Sequence, residues 1–149
     1  MFAVRCGCYA RYMSTNDKPT TSHGRCLCES VRFEVRGQLR PVIYCHCTMC
    51  RRTTGHFMAA TECERKDLHF TASESLRWFR SSATARRGFC GTCGAQLFWE
   101  ATGRSTISIA AGAIDLPTGL RAERHIFTAD KGDYYDIRDG LPQATAWHE

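Results

Sequence analysis

The sequence predicts an all-β, mainly antiparallel domain built around metal-binding knuckles, and three observations carry that prediction. Short runs alternate apolar and polar side chains, as in Val31-Arg32-Phe33-Glu34-Val35 and Thr106-Ile107-Ser108-Ile109-Ala110, which is the mark of strands with one buried face. No stretch shows the 3.6-residue apolar period of a long amphipathic helix. Seven of the ten cysteines fall in three tight clusters, Cys26/Cys28, Cys45/Cys47/Cys50 and Cys90/Cys93. Such clusters can staple short strands through a metal ion.

At 149 residues the chain has room for one domain with a real core, assigned to residues 23–149. Residues 1–22 read as a mobile leader, because Ser14 to Ser22 is polar, contains Pro19 and has no periodicity. Cys6 and Cys8 form another C-x-C on that leader and are read as incidental. Beyond Gly24 the expected strands are 31–35, 42–45 (entered through Pro41), 57–61, 68–70, 76–79, 87–90, 96–100, 106–110 and 125–127. Residues 48–54 form a helical turn in which Thr48 is the expected cap. That turn places Cys50 near a helix N-terminus, where the dipole favours a thiolate. Arg51 and Arg52 then sit where cations are disfavoured, so an anion is expected beside them. Cys63 reads as a small buried residue, and Trp78, Phe89, Phe98 and Trp99 read first as core and secondly as pocket walls.

The cysteines carry the chemistry. An even cysteine count in a secreted chain would point to disulfides. Here the N-terminus lacks a signal-peptide pattern and neighbours spaced C-x-C-x2-C cannot readily bridge one another. Metal binding in a reducing cytoplasm is therefore the expectation, with no membrane span. The net charge of +5 is spread without a basic run, so no nucleic-acid arm is expected. Cys26, Cys28, Cys90 and Cys93 make a complete four-thiolate set, which would close a structural zinc site. Spacing alone also allows Cys26, Cys28, Cys45 and Cys47 to share one ion. Cys45, Cys47 and Cys50 supply three ligands, and a catalytic zinc keeps its fourth position open. A histidine could close that site. His46 is expected to point away from it, while His56, after Gly55, could curl back.

Four stretches together resemble the glutathione-dependent formaldehyde-activating enzyme family, which shares its domain with centromere protein V. They are G-R-C-L-C at 24–28, Y-C-H-C-T-M-C-R-R-T-T-G at 44–55, R-G-F-C-G-T-C-G at 87–94 followed by L-F-W at 97–99, and H-I-F-T-A-D-K-G-D-Y-Y-D-I at 125–137. The resemblance implies an Mss4-like fold, a β-tent of short antiparallel sheets. It implies two zinc ions per chain, a structural one on Cys26, Cys28, Cys90 and Cys93 and a catalytic one on Cys45, Cys47 and Cys50. It also implies a carbon–sulfur lyase that joins glutathione and formaldehyde as S-hydroxymethylglutathione, or a related reaction.

Chemistry agrees with that expectation. Zinc on three thiolates carries a single negative charge, so it acidifies water only modestly but binds another thiol well. The bound sulfur is then poised to attack, or to leave, a carbonyl carbon. Arg51 and Arg52, nearest in sequence, are expected to hold a carboxylate of the thiol substrate. The alternative is a non-catalytic zinc module that binds protein partners, since a fold by itself does not fix a function.

Overall fold

A computed structural model describes residues 21–147. The leader predicted over 1–22, with Cys6 and Cys8, lies outside the described residues except for its last two positions, and Ser22 already opens the first strand.

In chain order the elements are β1 (Ser22–Arg25), β2 (Arg32–Val35), β3 (Val42–Cys45), the helix α1 (Thr48–Thr54), β4 (Met58–Glu64) and β5 (Leu68–Ala72). There follow β6 (Leu76–Arg80), β7 (Ala85–Cys90), β8 (Gln96–Ala101), β9 (Thr106–Ala110) and β10 (Ala122–Ile126). One sheet has the order β1-β2-β5, the other the order β10-β3-β4-β9-β8-β7-β6. All pairings are antiparallel except β3 with β10, which is parallel. The molecule is thus the all-β sheet assembly expected of a β-tent, with one short helix among the described residues.

Both sheets contribute to a single core. Phe33 and Val35 of β2 and Leu68 of β5 share it with Leu97 and Phe98 of β8 and with Ile107 and Ile109 of β9. The Phe33 and Phe98 rings meet edge-on with centroids 5.0 Å apart, an arrangement favoured by the ring quadrupoles. Alternation explains these positions, because Arg32, Glu34 and Ser108 take the other face. β1 carries no such signal. It is a strand because β2 pairs with it and because Gly24 lets the Phe33 ring pass where a Cβ would lie 2.3 Å from Phe33 Cζ. A smaller cluster of Ile43, Ile126 and Ala144 packs against Cys45 and anchors the end of β3. β10 ends one residue earlier than the sequence predicts, since Phe127 turns into the left-handed region at φ 56°. That conformation is strained for an aromatic residue, and here it leaves Phe127 in the wall of the cavity beside the three-cysteine cluster.

Candidate metal centre

Two turns on different sheets bring four cysteines together. Cys26 and Cys28 lie between β1 and β2, Cys90 ends β7, and Cys93 lies in the turn before β8. Their sulfurs all fall within 4.8 Å of one another, with Cys28 3.6 Å from both Cys26 and Cys90. A tetrahedral zinc with bonds of about 2.3 Å requires sulfurs about 3.8 Å apart, so the donor set fits such an ion. The surroundings of Cys28 and Cys93 favour thiolates, while burial pushes the Cys26 thiol up. The Val31 N–H donates to Cys26 Sγ at 3.3 Å, and the Ser30 hydroxyl and backbone N–H bring the Cys28 thiol down to about 6. Gly94, at φ 73°, closes the knuckle with its N–H on the Cys90 carbonyl.

The second cluster is local in sequence. β3 delivers Cys45, Cys47 follows, and α1 presents Cys50 on its first turn; these three sulfurs also lie within 4.8 Å of one another. Among the described residues no histidine or carboxylate ligand atom joins either group. The fold therefore does not make the Cys26/Cys28/Cys45/Cys47 grouping that spacing alone allowed. The helix cap differs from expectation, since Cys47 rather than Thr48 holds that position and its sulfur accepts from the Cys50 N–H at 3.4 Å. Sulfur can cap because the turn already aims that N–H at it. The Cys47 thiol is brought down to about 2 by Cys45 and Cys50, by the Cys50 N–H and by the charge of Arg87. Among the described residues all eight cysteines are free of disulfides.

Arg51 and Arg52 are placed differently from the sequence reading. The helix is seven residues long, so both fall in its last turn. There the dipole favours cations and no neighbouring anion is called for. Neither lines the cavity of about 640 Å³ onto which Cys45, Cys47 and Cys50 all open. Arg52 is exposed, and the charge of Arg51 acts instead on Tyr135, whose phenol is pushed up by burial and by Tyr134 against it. The arginines of the cavity are Arg40, Arg87 and Arg104, with Trp99, Phe127 and Trp147 as aromatic walls. Sequence distance hid Arg87. The available signal was its place beside Gly88-Phe89-Cys90, in the strand expected to lead into the Cys90 knuckle.

His56 does not curl back to the cysteines; its ring packs on Phe57 and Tyr135, with centroids 4.4 and 4.3 Å away. His46 is buried and points away from them, into a hydrogen-bonded chain. Its Nε2 lies 2.7 Å from His125 Nδ1, His125 Nε2 lies 2.9 Å from the Asp139 carboxylate, and His46 Nδ1 meets the Tyr135 hydroxyl. Asp139, an acceptor, fixes the direction: His125 Nε2–H donates to it, His46 Nε2–H donates to His125, and the Tyr135 O–H donates to His46. Burial holds the His46 imidazole down at about 4, in its neutral form. The chain ties the residue between Cys45 and Cys47 to the C-terminal segment. His125→Phe keeps the shape but strands the buried His46 N–H, at a cost of about 1–3 kcal/mol. A denaturant midpoint should register that cost, and an unchanged midpoint would show that the chain adds no net stability.

A strand-rich domain carrying one four-sulfur and one three-sulfur cluster, the latter opening on a cavity, belongs to the class of small β proteins whose cysteine clusters could hold a thiophilic metal. Residues 21–130 match the family described as glutathione-dependent formaldehyde-activating enzyme, and the chain belongs to that family. An uncharacterized lyase of Schizosaccharomyces pombe is 27% identical over 115 residues, covering 76% of this chain and 83% of its own. A crystal structure of a Rhodobacter sphaeroides protein superposes with a TM-score of 0.53 at 22% identity, covering 83% of this chain and 99% of that one. This likeness is one of fold. Among the described residues no helix is long and apolar enough to cross a membrane.

Proposed function

We propose that this protein is a zinc-dependent carbon–sulfur lyase that acts on the adduct of a thiol and an aldehyde, with glutathione and formaldehyde as the first pair to test. The observation that carries the reading is that Cys45, Cys47 and Cys50 all face one cavity of small-molecule size. Cys26, Cys28, Cys90 and Cys93 would hold a structural zinc, and Cys45, Cys47 and Cys50 a catalytic one. When bound by those three thiolates, zinc supplies a soft Lewis acid that favours the ionised form of a thiol.

The chain's own groups would do the rest. Arg40 and Arg104 lie on the cavity wall and would pair with the carboxylates of a peptide thiol, the role first expected of Arg51 and Arg52. Glu62, which pairs with Arg104 at 3.4 Å, would give way or turn to a substrate ammonium. Trp99, Phe127 and Trp147 would exclude water as the sulfur adds to the carbonyl carbon. In that addition the C–S bond forms, the carbonyl π pair moves to oxygen, and the proton given up by the thiol ends on that oxygen by way of solvent. The reducing cytoplasm would keep the cysteines available for metal.

The test combines metal analysis with solution exchange spectroscopy. Two zinc ions per chain are expected, together with exchange between glutathione, formaldehyde and their adduct that is faster than without protein. Two zinc ions with no acceleration for any thiol–aldehyde pair would favour the non-catalytic module.

A further inference from the structure

Arg87 is a buried cation that faces the three-cysteine cluster. It is 4% exposed, on β7, with Phe79 and Trp99 opposite it on the neighbouring strands. Its Nη2 donates to Cys50 Sγ at 3.7 Å, and its Nε is buried with no hydrogen-bond partner. The side chain also forms part of the cavity wall. A guanidinium is always charged and is costly to bury without an anion. Among the described residues no carboxylate forms an ion pair with it. The four-sulfur cluster is built differently, for its sulfurs are met by the Val31 N–H and by Ser30.

Charge bookkeeping gives the difference a purpose. A divalent ion on three thiolates leaves one negative charge, which Arg87 neutralises. An incoming thiolate then restores a single negative charge, where without Arg87 it would raise the charge to two. A neutral ligand gains no such help. We propose that Arg87 is the specificity-determining counter-charge of the open metal position, selecting ionised thiols over neutral ligands. In that uptake the thiol S–H bond breaks, its proton leaves to solvent, and the sulfur lone pair would bind at the open position, displacing to solvent any water held there. This inference rests on the open-site reading given under Proposed function.

The experiment titrates cobalt-substituted protein with glutathione and, separately, with neutral imidazole, and follows the visible bands of the metal. Wild type is expected to take up thiol with a rise in thiolate-to-metal charge-transfer absorption above that of its own cysteine sulfurs. Arg87→Gln should weaken thiol uptake roughly 10- to 100-fold, the range for losing a hydrogen bond to a charged group, while imidazole uptake stays within about two-fold. Arg87→Met, which keeps the stem in its buried slot, carries the same comparison if the glutamine variant does not fold. Arg87→Lys should recover part of the lost thiol affinity, and no recovery would overturn charge as the cause. Equal loss of thiol and imidazole, or no loss of either, would overturn the inference. Wild-type protein whose spectrum answers to neither ligand would instead overturn the open-site reading itself, and this inference with it.

Discussion

Replacing Cys90 by serine is expected to cost the protein most of its stability. Cys90 is fully buried, and its sulfur joins the end of β7 to Cys28 in the turn between β1 and β2. A zinc held by the four sulfurs would therefore fasten the smaller sheet to the larger one across the shared core. A structural zinc contributes about 10–16 kcal/mol of binding free energy in small zinc peptides, while a whole domain is stable by only about 5–15 kcal/mol. Even partial loss of that contribution is enough to unfold the chain at ordinary temperature. A serine oxygen is a harder donor on a shorter arm, and it would leave three good ligands where four are built in. Thermal melts followed by circular dichroism should show the transition displaced far downward, and a strong chelator should unfold the wild type in the same way. A variant that melts like wild type would remove this cluster from the foundations of the fold.

Cys50→Ser should produce the opposite pattern, with large loss of function and a fold that persists. Cys50 is buried on the first turn of α1, and its cluster lies within one stretch from the end of β3 to that turn. It bridges no sheets, so losing its sulfur leaves the main core of Phe33, Phe98, Ile107 and Ile109 untouched. The same sulfur is a would-be metal ligand and the acceptor of the Arg87 N–H. Its loss should exceed the effect of losing an outer partner of a metal ligand, about 10- to 100-fold. The expected result is loss of the rise in charge-transfer absorption that added thiol causes in the cobalt protein, and a loss of thiol–aldehyde exchange greater than about 100-fold. Stability read from the denaturant midpoint should fall by no more than the about 1–3 kcal/mol of a stranded buried donor on Arg87, far less than for Cys90→Ser. Retained activity would show that the reaction does not need this sulfur, and joint loss of fold and activity would make the cluster structural.

Much of the fold was legible because strand burial has a period of two. Val31–Val35 and Thr106–Ala110 declared their inner faces through Phe33, Ile107 and Ile109, all of which are in the core. The strand Ser-His-Gly-Arg at 22–25 was not legible, because its own side chains have no apolar alternation and its pairing comes from β2. The parallel pairing of β10 with β3 was also invisible, since it joins stretches nearly eighty residues apart in sequence that share no local pattern. The hydrogen-bonded chain has the same origin, for Tyr135, His46, His125 and Asp139 come from three separate parts of the chain.

By itself the sequence determined the chemistry at hand: an all-β chain, soft sulfur donors in groups, and a family of motifs that names a reaction type. Donor type and local spacing are properties of neighbouring residues, and a reader of the chain has those in full. Tertiary structure chose between the cysteine groupings that spacing left open, and it alone decided which arginine faces them. Arg51 and Arg52 adjoin Cys50 in the chain, yet the turn of α1 carries them away from the cavity. Arg87 is thirty-seven residues away from Cys50, yet sheet pairing brings its guanidinium to the sulfur. The physical reason lies in side-chain direction. Along a helix successive side chains turn by about 100°, so sequence neighbours diverge. Across a sheet, register alone sets which side chains share a face, and register is fixed by pairing partners that the local sequence does not contain.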